Sequence, residues 1–165
     1  MTRQEITEFY QEHNRRLYNI SLRILRDSAE AEEVMQDTIL KFVSSPGTFS
    51  SKEQISAWLA RTCIRASIDR LRRRQRRDAF LEDLAVSGLP VEEPEPVSTL
   101  PDIVQVREAM DALPEPYRLI LTLVLIEGMD YGEIAEITGK KETTLRSLYS
   151  RGRTKLIRLL NNRQL

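Results

Sequence analysis

The chain has 165 residues, 41% of them hydrophobic and 30% charged, with 25 basic side chains against 25 acidic ones and a formal net charge of zero. Such a chain can bury one modest core or two small ones; no apolar run approaches the roughly 20 residues that span a bilayer, and the opening MTRQEITEFY lacks the apolar stretch of a signal peptide. One cysteine and one histidine leave no internal disulfide and no Cys-cluster zinc site, so the sequence predicts a cytoplasmic protein without metal, cofactor or membrane insertion.

The zero charge is a sum of unlike blocks. Residues 1–77 hold 15 Lys/Arg and 10 Asp/Glu, residues 78–116 hold 10 acids and Arg107 alone, and residues 117–165 hold 9 basic and 5 acidic side chains. Two basic blocks flanking an acidic middle imply partners of both signs, or one anionic partner reached by both ends. Within the middle block, Pro90, Pro94, Pro96 and Pro101 stand among acids and small residues, the composition of an extended linker. The expected plan is all-α: a helical module over 1–77, an acidic Pro-rich linker over 78–101 and a second helical module over 102–165.

In chain order, Ile6, Phe9, Tyr10, His13, Leu17, Ile20 and Ile24 recur at spacings of three and four, which predicts one long helix with a buried stripe. His13 lies on that stripe and reads as a packed side chain rather than a ligand. Asp27 or Ser28 can cap a second helix whose first turn is acidic. Ala31, Val34, Met35, Thr38 and Phe42 form its core face. The opposite face carries Glu32, Glu33, Gln36, Asp37 and Lys41 together with Ile39 or Leu40, and it reads either as a solvated face or as a docking face.

After the breaker SSPGTFSS, Ser51 and Gln54 form a capping-box pattern, and a third helix is expected from about Lys52 to Arg77. Ile55, Trp58, Leu59, Thr62 and Ala66 are expected to face its core. Arg61, Arg65, Arg72 and Arg76 align along one side, so the five arginines of LRRRQRR extend a stripe begun two turns earlier. A charge run can be a solvated face alone. The stripe's length, its arginine content and the nearby Trp58 and Phe49 argue instead for contact with phosphates and bases. Cys63, inside this helix, reads as a buried inert thiol.

In the second module, Ile103, Val106, Met110 and Leu113 share a helical register, and EPYRLILTLVLIEG is apolar nearly all round, as a central helix would be. DYGEIAEITG predicts a short helix burying Ile134, Ala135 and Ile137 and ending at Gly139. The long helix that follows should bury Leu145, Leu148, Tyr149, Gly152, Leu156 and Leu159. Its outward face would present Thr143, Arg146, Ser147, Ser150, Arg151, Thr154 and Arg158. A short helix, a glycine turn and a basic second helix make the helix-turn-helix plan, whose second helix enters the major groove; a plain helical hairpin with a charged surface is the other reading.

Taken together, LYNISLRILRDSAEAEEVMQDTILKFV, AWLARTCIRASIDRLRRRQRR and ALPEPYRLILTLVLIEGMDYGEIAEITGKKETTLRSLYSRGRTKL resemble, in this order, regions 2.1 to 2.2, regions 2.3 to 2.4 and region 4 of the extracytoplasmic-function (ECF) sigma factors of bacterial RNA polymerase. The resemblance covers nearly all of the chain except the linker. It implies a non-enzymatic protein of two helical domains, a sigma region 2 bundle and a sigma region 4 helix-turn-helix, which attaches to core RNA polymerase through the beta-prime and beta subunits and holds promoter DNA. It assigns Glu32, Glu33, Gln36, Asp37 and Leu40 to docking on the beta-prime coiled coil. Thr48, Phe49, Ser50, Arg61, Arg65, Asp69, Arg72 and Arg76 would handle the minus-ten element, melting the duplex and holding an unstacked base of the non-template strand. Thr143, Thr144, Arg146, Ser147, Ser150, Arg151 and Arg153 would read the minus-thirty-five element as duplex. An anti-sigma factor is the further partner implied, and the linker would thread toward the polymerase cleft.

The chain departs from the family pattern at Ile64–Arg65, where Arg-Asn is common, at Lys140 and Lys141, and at Leu148, which replaces a frequent arginine. These changes bear on promoter sequence rather than on class. From another class, a polymerase-independent helix-turn-helix regulator would account for the second module but not for an arginine stripe and an aromatic loop in the first. A purely structural helical adaptor would leave both basic faces idle.

Overall fold

The computed structural model describes residues 1–75 and 100–163. Most of the expected linker therefore lies outside the described residues, as do Arg76 and Arg77. The chain divides into two compact units, Met1–Arg77 and Asp78–Leu165. Every regular element among the described residues is helical, and no helix among them is long and apolar enough to cross a membrane.

The first unit packs three helices, α1 (Arg3–Leu25), α2 (Ser28–Ser44) and α3 (Lys52–Gln75). Thr2 and Glu5 form a reciprocal capping box that satisfies two of the free amides at the start of α1. Arg26, in the left-handed region at φ 56°, stops α1 and returns its amide to the Leu22 carbonyl. Asp27 then caps α2 by accepting from the Glu30 amide at 2.9 Å, so one short corner both ends a helix and starts the next.

The core faces of α1 and α2 follow the spacing. Leu17, Ile20 and Ile24 are buried from α1, and Ala31, Val34, Met35, Thr38 and Phe42 from α2. Ile39 turns inward while Leu40 is 62% exposed, which decides between the two. His13 is half-buried, 4.5 Å from the Phe9 ring, and its burial lowers its pKa, so it packs as a neutral imidazole.

The face expected for α3 is corrected. Of Ile55, Trp58, Leu59, Thr62 and Ala66 only Leu59 is buried; the core side is Leu59, Ala60, Cys63, Ile64, Ser67, Ile68 and Leu71. The reason is close approach. Small side chains at Cys63 and Ser67 let α3 lie against α1, and each polar atom in the seam has a partner. Ser67 Oγ donates to the Cys63 carbonyl at 2.7 Å and stands 2.9 Å from Ser21 Oγ, and Cys63 Sγ donates to the Leu17 carbonyl at 3.3 Å. Cys63 is fully buried, as a packing thiol would be.

The second unit contains α4 (Ile103–Ala112), α5 (Glu115–Leu121), α6 (Tyr131–Thr138) and α7 (Glu142–Arg163). Asp102 and Gln105 form a capping box on α4. Pro116 stands in the first turn of α5, where its missing N–H costs nothing. Beyond Leu121 the helix widens into a π turn, Thr122–Ile126, and Gly128 at φ 65° reverses the chain. The wide turn changes the phase of the apolar run, so Leu121, Thr122 and Leu123 are buried while Leu125 and Ile126 are 57% and 51% exposed. EPYRLILTLVLIEG is thus not buried all round, and Ile103, in register with Val106, Met110 and Leu113, is 77% exposed.

Gly152 is where α7 crosses α5. A Cβ there would stand 3.1 Å from the Tyr117 Cβ. Leu145, Leu148 and Leu156 are buried as expected, but Thr154 faces inward rather than outward, and Leu160 is buried while Leu159 is half-buried.

Candidate nucleic-acid interface

The loop between α2 and α3 and the outer side of α3 enclose an open groove of about 740 Å³. Phe49, Trp58, Arg61, Arg65 and Asp69 line it, with Thr48 and Gln54 at the loop end and Asp37 and Lys41 on the α2 side. Trp58, Thr62 and Ala66, expected in the core, belong to this wall instead. Arg61, Arg65, Asp69 and Arg72 are exposed along one face of α3.

The loop rests on an aromatic column that sequence reading missed. Phe9 of α1 stacks on Phe42 of α2 at 4.7 Å with 6° between the planes, Phe42 meets Phe49 at 5.7 Å, and Phe49 meets Trp58 edge-on at 6.2 Å. Offset aromatic pairs of this kind stabilise beyond their buried area. The Phe49 ring also lies so close over Gly47 that a Cβ there would come within 3.0 Å of it.

At the start of α3 the expected capping box is half formed. Ser51 Oγ accepts from the Gln54 amide at 3.2 Å, but the Gln54 side chain bonds Ser50, accepting from its N–H at 3.0 Å and its hydroxyl at 2.8 Å. Thr48 and Ser50 are exposed on either side of half-buried Phe49.

The run of arginines from Arg70 onward divides by direction. Arg70 turns to α2 and pairs with Glu33 at 2.6 Å and Asp37 at 3.7 Å. Arg74 pairs with Glu30 and donates to the Leu25 carbonyl at 2.9 Å, closing the end of α1. On the surface of α2, Glu32, Glu33, Gln36, Asp37 and Leu40 are all exposed, with Gln36 hydrogen-bonded weakly to Glu32 at 3.4 Å.

In the second unit Asp130 caps α6 by accepting from the Glu133 amide, and Gly139 at φ 70° ends it after two turns. Thr143, Arg146, Ser150 and Arg153 are exposed on α7, and Thr144, Ser147 and Arg151 are half-buried. Arg146 lies over the Tyr131 ring at 5.3 Å and 3.8 Å from Glu142, while Tyr131 meets Tyr149 edge-on at 6.2 Å. Tyr131 was not singled out from sequence. Burial raises its pKa, so its phenol keeps its proton and can donate. Ile64 and Leu148, read as departures in DNA-facing positions, are buried packing residues.

A model of sigma-70 region 2 matches residues 9–77, the three-helix unit with its groove, and a model of sigma-70 region 4 matches residues 103–156. The chain belongs to the sigma-70 family, in its ECF class. Among its relatives, the ECF RNA polymerase sigma factor EcfG of Rhodopseudomonas palustris is 31% identical over 79% of this chain and 71% of EcfG. The ECF RNA polymerase sigma factor SigE of Mycolicibacterium smegmatis is 32% identical over 90% of this chain, which spans 59% of the length of SigE. RNA polymerase sigma factor SigV of Bacillus subtilis is 28% identical over 90% of this chain and 86% of SigV. The fold is similar to that of the sigma factor RpoE from Bartonella quintana, solved in complex with the anti-sigma factor NepR, with a TM-score of 0.57 at 22% identity over 95% of this chain and 97% of RpoE. In the terms of this family, the groove is a region 2 feature, and α6 and α7 are the helix-turn-helix of region 4.

Proposed function

We propose that this protein is an alternative sigma factor that binds core RNA polymerase and directs promoter-specific initiation in the cytoplasm, without catalysing a reaction itself. The observation that carries the reading is the groove of region 2. Two arginines, a tryptophan and a loop phenylalanine line one open cleft, in a chain whose other unit is a region 4 helix-turn-helix. Cations beside aromatic faces suit single-stranded DNA, where phosphates and unstacked bases are offered together. Duplex recognition falls to α7, where Thr143, Thr144, Arg146, Ser147, Ser150, Arg151 and Arg153 supply donors at the surface.

The exposed face of α2, with Glu32, Glu33, Gln36, Asp37 and Leu40, is the docking surface for the beta-prime subunit in this reading. Four polar side chains around a solvent-exposed leucine suit a partner that offers cations around an apolar spot. An anti-sigma factor is a further expected partner, as RpoE has in its solved complex.

Reconstituted transcription tests the whole. With core polymerase added, the protein should initiate from a specific start site and protect promoter DNA in a footprint; alone, it should give no sequence-specific footprint at physiological salt. Tight specific protection without polymerase would replace this reading with that of a self-sufficient regulator.

A further inference from the structure

The half-formed capping box at the start of α3 has a chemical consequence. A backbone N–H can only donate, so the Gln54 atom 3.0 Å from the Ser50 nitrogen must be the carboxamide oxygen. The same oxygen lies 2.8 Å from Ser50 Oγ, which fills both of its acceptor positions from the loop. The side chain is thereby oriented by its oxygen. Its NH2 group, with two donors, makes no hydrogen bond to any described residue, and Gln54 is an exposed wall of the groove.

We propose that Gln54 is a specificity-determining residue of the groove, where its NH2 donates to the carbonyl at C4 of a pyrimidine or C6 of a purine in the unstacked base and so selects thymine or guanine over adenine or cytosine. This rests on the reading of the groove as a single-strand site. The selection follows from donor and acceptor matching. Thymine offers O4 and guanine O6 as acceptors, whereas adenine and cytosine carry an amino group at the corresponding position. A donor facing an amino group leaves both without a partner once water is excluded, and that mismatch carries the discrimination. Because the oxygen accepts from the Ser50 backbone N–H, a half-turn of the amide to offer an acceptor would set NH2 against that N–H and lose the hydrogen bond.

The Gln54→Glu substitution separates the two ends of this side chain. A carboxylate still accepts from the Ser50 N–H and hydroxyl, so the loop stays latched, but the atom that replaces the NH2 is an acceptor. Holoenzyme would be titrated against bubble templates carrying each of the four bases at each melted non-template position, and only the ratios between bases are read, so the added negative charge cancels. The wild-type protein should prefer thymine and guanine at one position by roughly tenfold. Gln54→Glu should reverse the order at that position, and Gln54→Met should flatten it. If Gln54→Glu keeps the wild-type order, the assignment of Gln54 is overturned while the groove stands. If the wild-type protein shows no base preference at any melted position, the groove reading itself fails and takes this inference with it.

Discussion

Arg70 reaches across from α3 and holds two carboxylates of α2 at once, with Nη1 2.6 Å from Glu33 Oε2 and Nη2 3.7 Å from Asp37 Oδ2. The Arg70 side chain is only 25% exposed, whereas those of Glu33 and Asp37 are 63% and 72% exposed, so both acids are backed by a cation on one side and open to a partner on the other. Charge reversal at these acids would set like charges beside Arg70 and mix a folding defect with a docking defect. Neutral changes are cleaner. Glu33→Gln with Asp37→Asn should weaken core binding while costing no more than about 1 kcal/mol of stability, the range for exposed ion pairs. Leu40→Asp should abolish binding with no change in the unfolding midpoint, because Leu40 contributes little to the core. Titration of labelled core enzyme and urea denaturation read the two quantities separately.

Arg61 and Arg65 line the groove, and their effect should fall on strand separation rather than on recruitment. The double change Arg61→Ala, Arg65→Ala should leave closed-complex formation near normal and reduce initiation on duplex promoters. A pre-melted bubble should restore a large part of the loss, since it supplies the opened state. Equal loss on duplex and bubble would mean that these arginines act as general phosphate attraction.

Tyr131 and Arg146 form the corresponding unit in region 4. The ring keeps the guanidinium close to α6 at 5.3 Å, and Glu142 limits its other side. Arg146→Ala should weaken binding to the upstream element by about 1 to 3 kcal/mol and relax one base position. Tyr131→Leu should give part of the same loss with Arg146 intact, and Tyr131→Phe should restore the shelf but not the phenolic donor. Selection from a randomised upstream element resolves which position relaxes.

Gly152→Ala probes the crossing of α7 with α5. A new Cβ 3.1 Å from the Tyr117 Cβ meets an atom fixed to the backbone, so the helices must separate. The expected cost is about 1 to 3 kcal/mol, visible as a lower urea midpoint of the region 4 transition with the region 2 transition unchanged.

How much of this was legible beforehand depended on what each feature is made of. The helices, their order and the core stripes of α1 and α2 follow from spacing alone, because Leu17, Ile20 and Ile24 or Ala31, Val34 and Phe42 repeat at the helical period. The phase of α3 did not follow. The large apolar Trp58 and Ile55 pull the expected face toward themselves, yet the small Cys63 and Ser67 mark the side where α1 approaches, and size there outranks bulk hydrophobicity. Arg61 and Arg65 line one groove because their spacing puts them on one helix face, and Asp69, one turn further on, lies on that face too. Arg70 and Arg74 look like their neighbours in the run, and only the acids of α2 across the space between helices set them apart. Tyr131 escaped for the same reason, as did the stacking of Phe9, itself on the expected stripe of α1, against Phe42, since each is a ring contact with a residue distant in sequence. The π turn after Leu121 left no mark in composition, since a one-residue change of phase within an apolar run looks the same in either register.

The division of the arginine run has a consequence for how affinity should vary with ionic strength. A cation bound to single-stranded DNA adds to the salt dependence because condensed counterions leave the phosphate it neutralises, about 0.7 in the logarithmic slope for each such contact. Arg70, held by Glu33 and Asp37, and Arg74, held by Glu30 and the Leu25 carbonyl, are already committed within the protein. They should displace few ions when a strand arrives, so the slope is expected to be shallower than the number of arginines in the run suggests, and Arg74→Ala should leave it nearly unchanged while lowering the melting temperature of region 2.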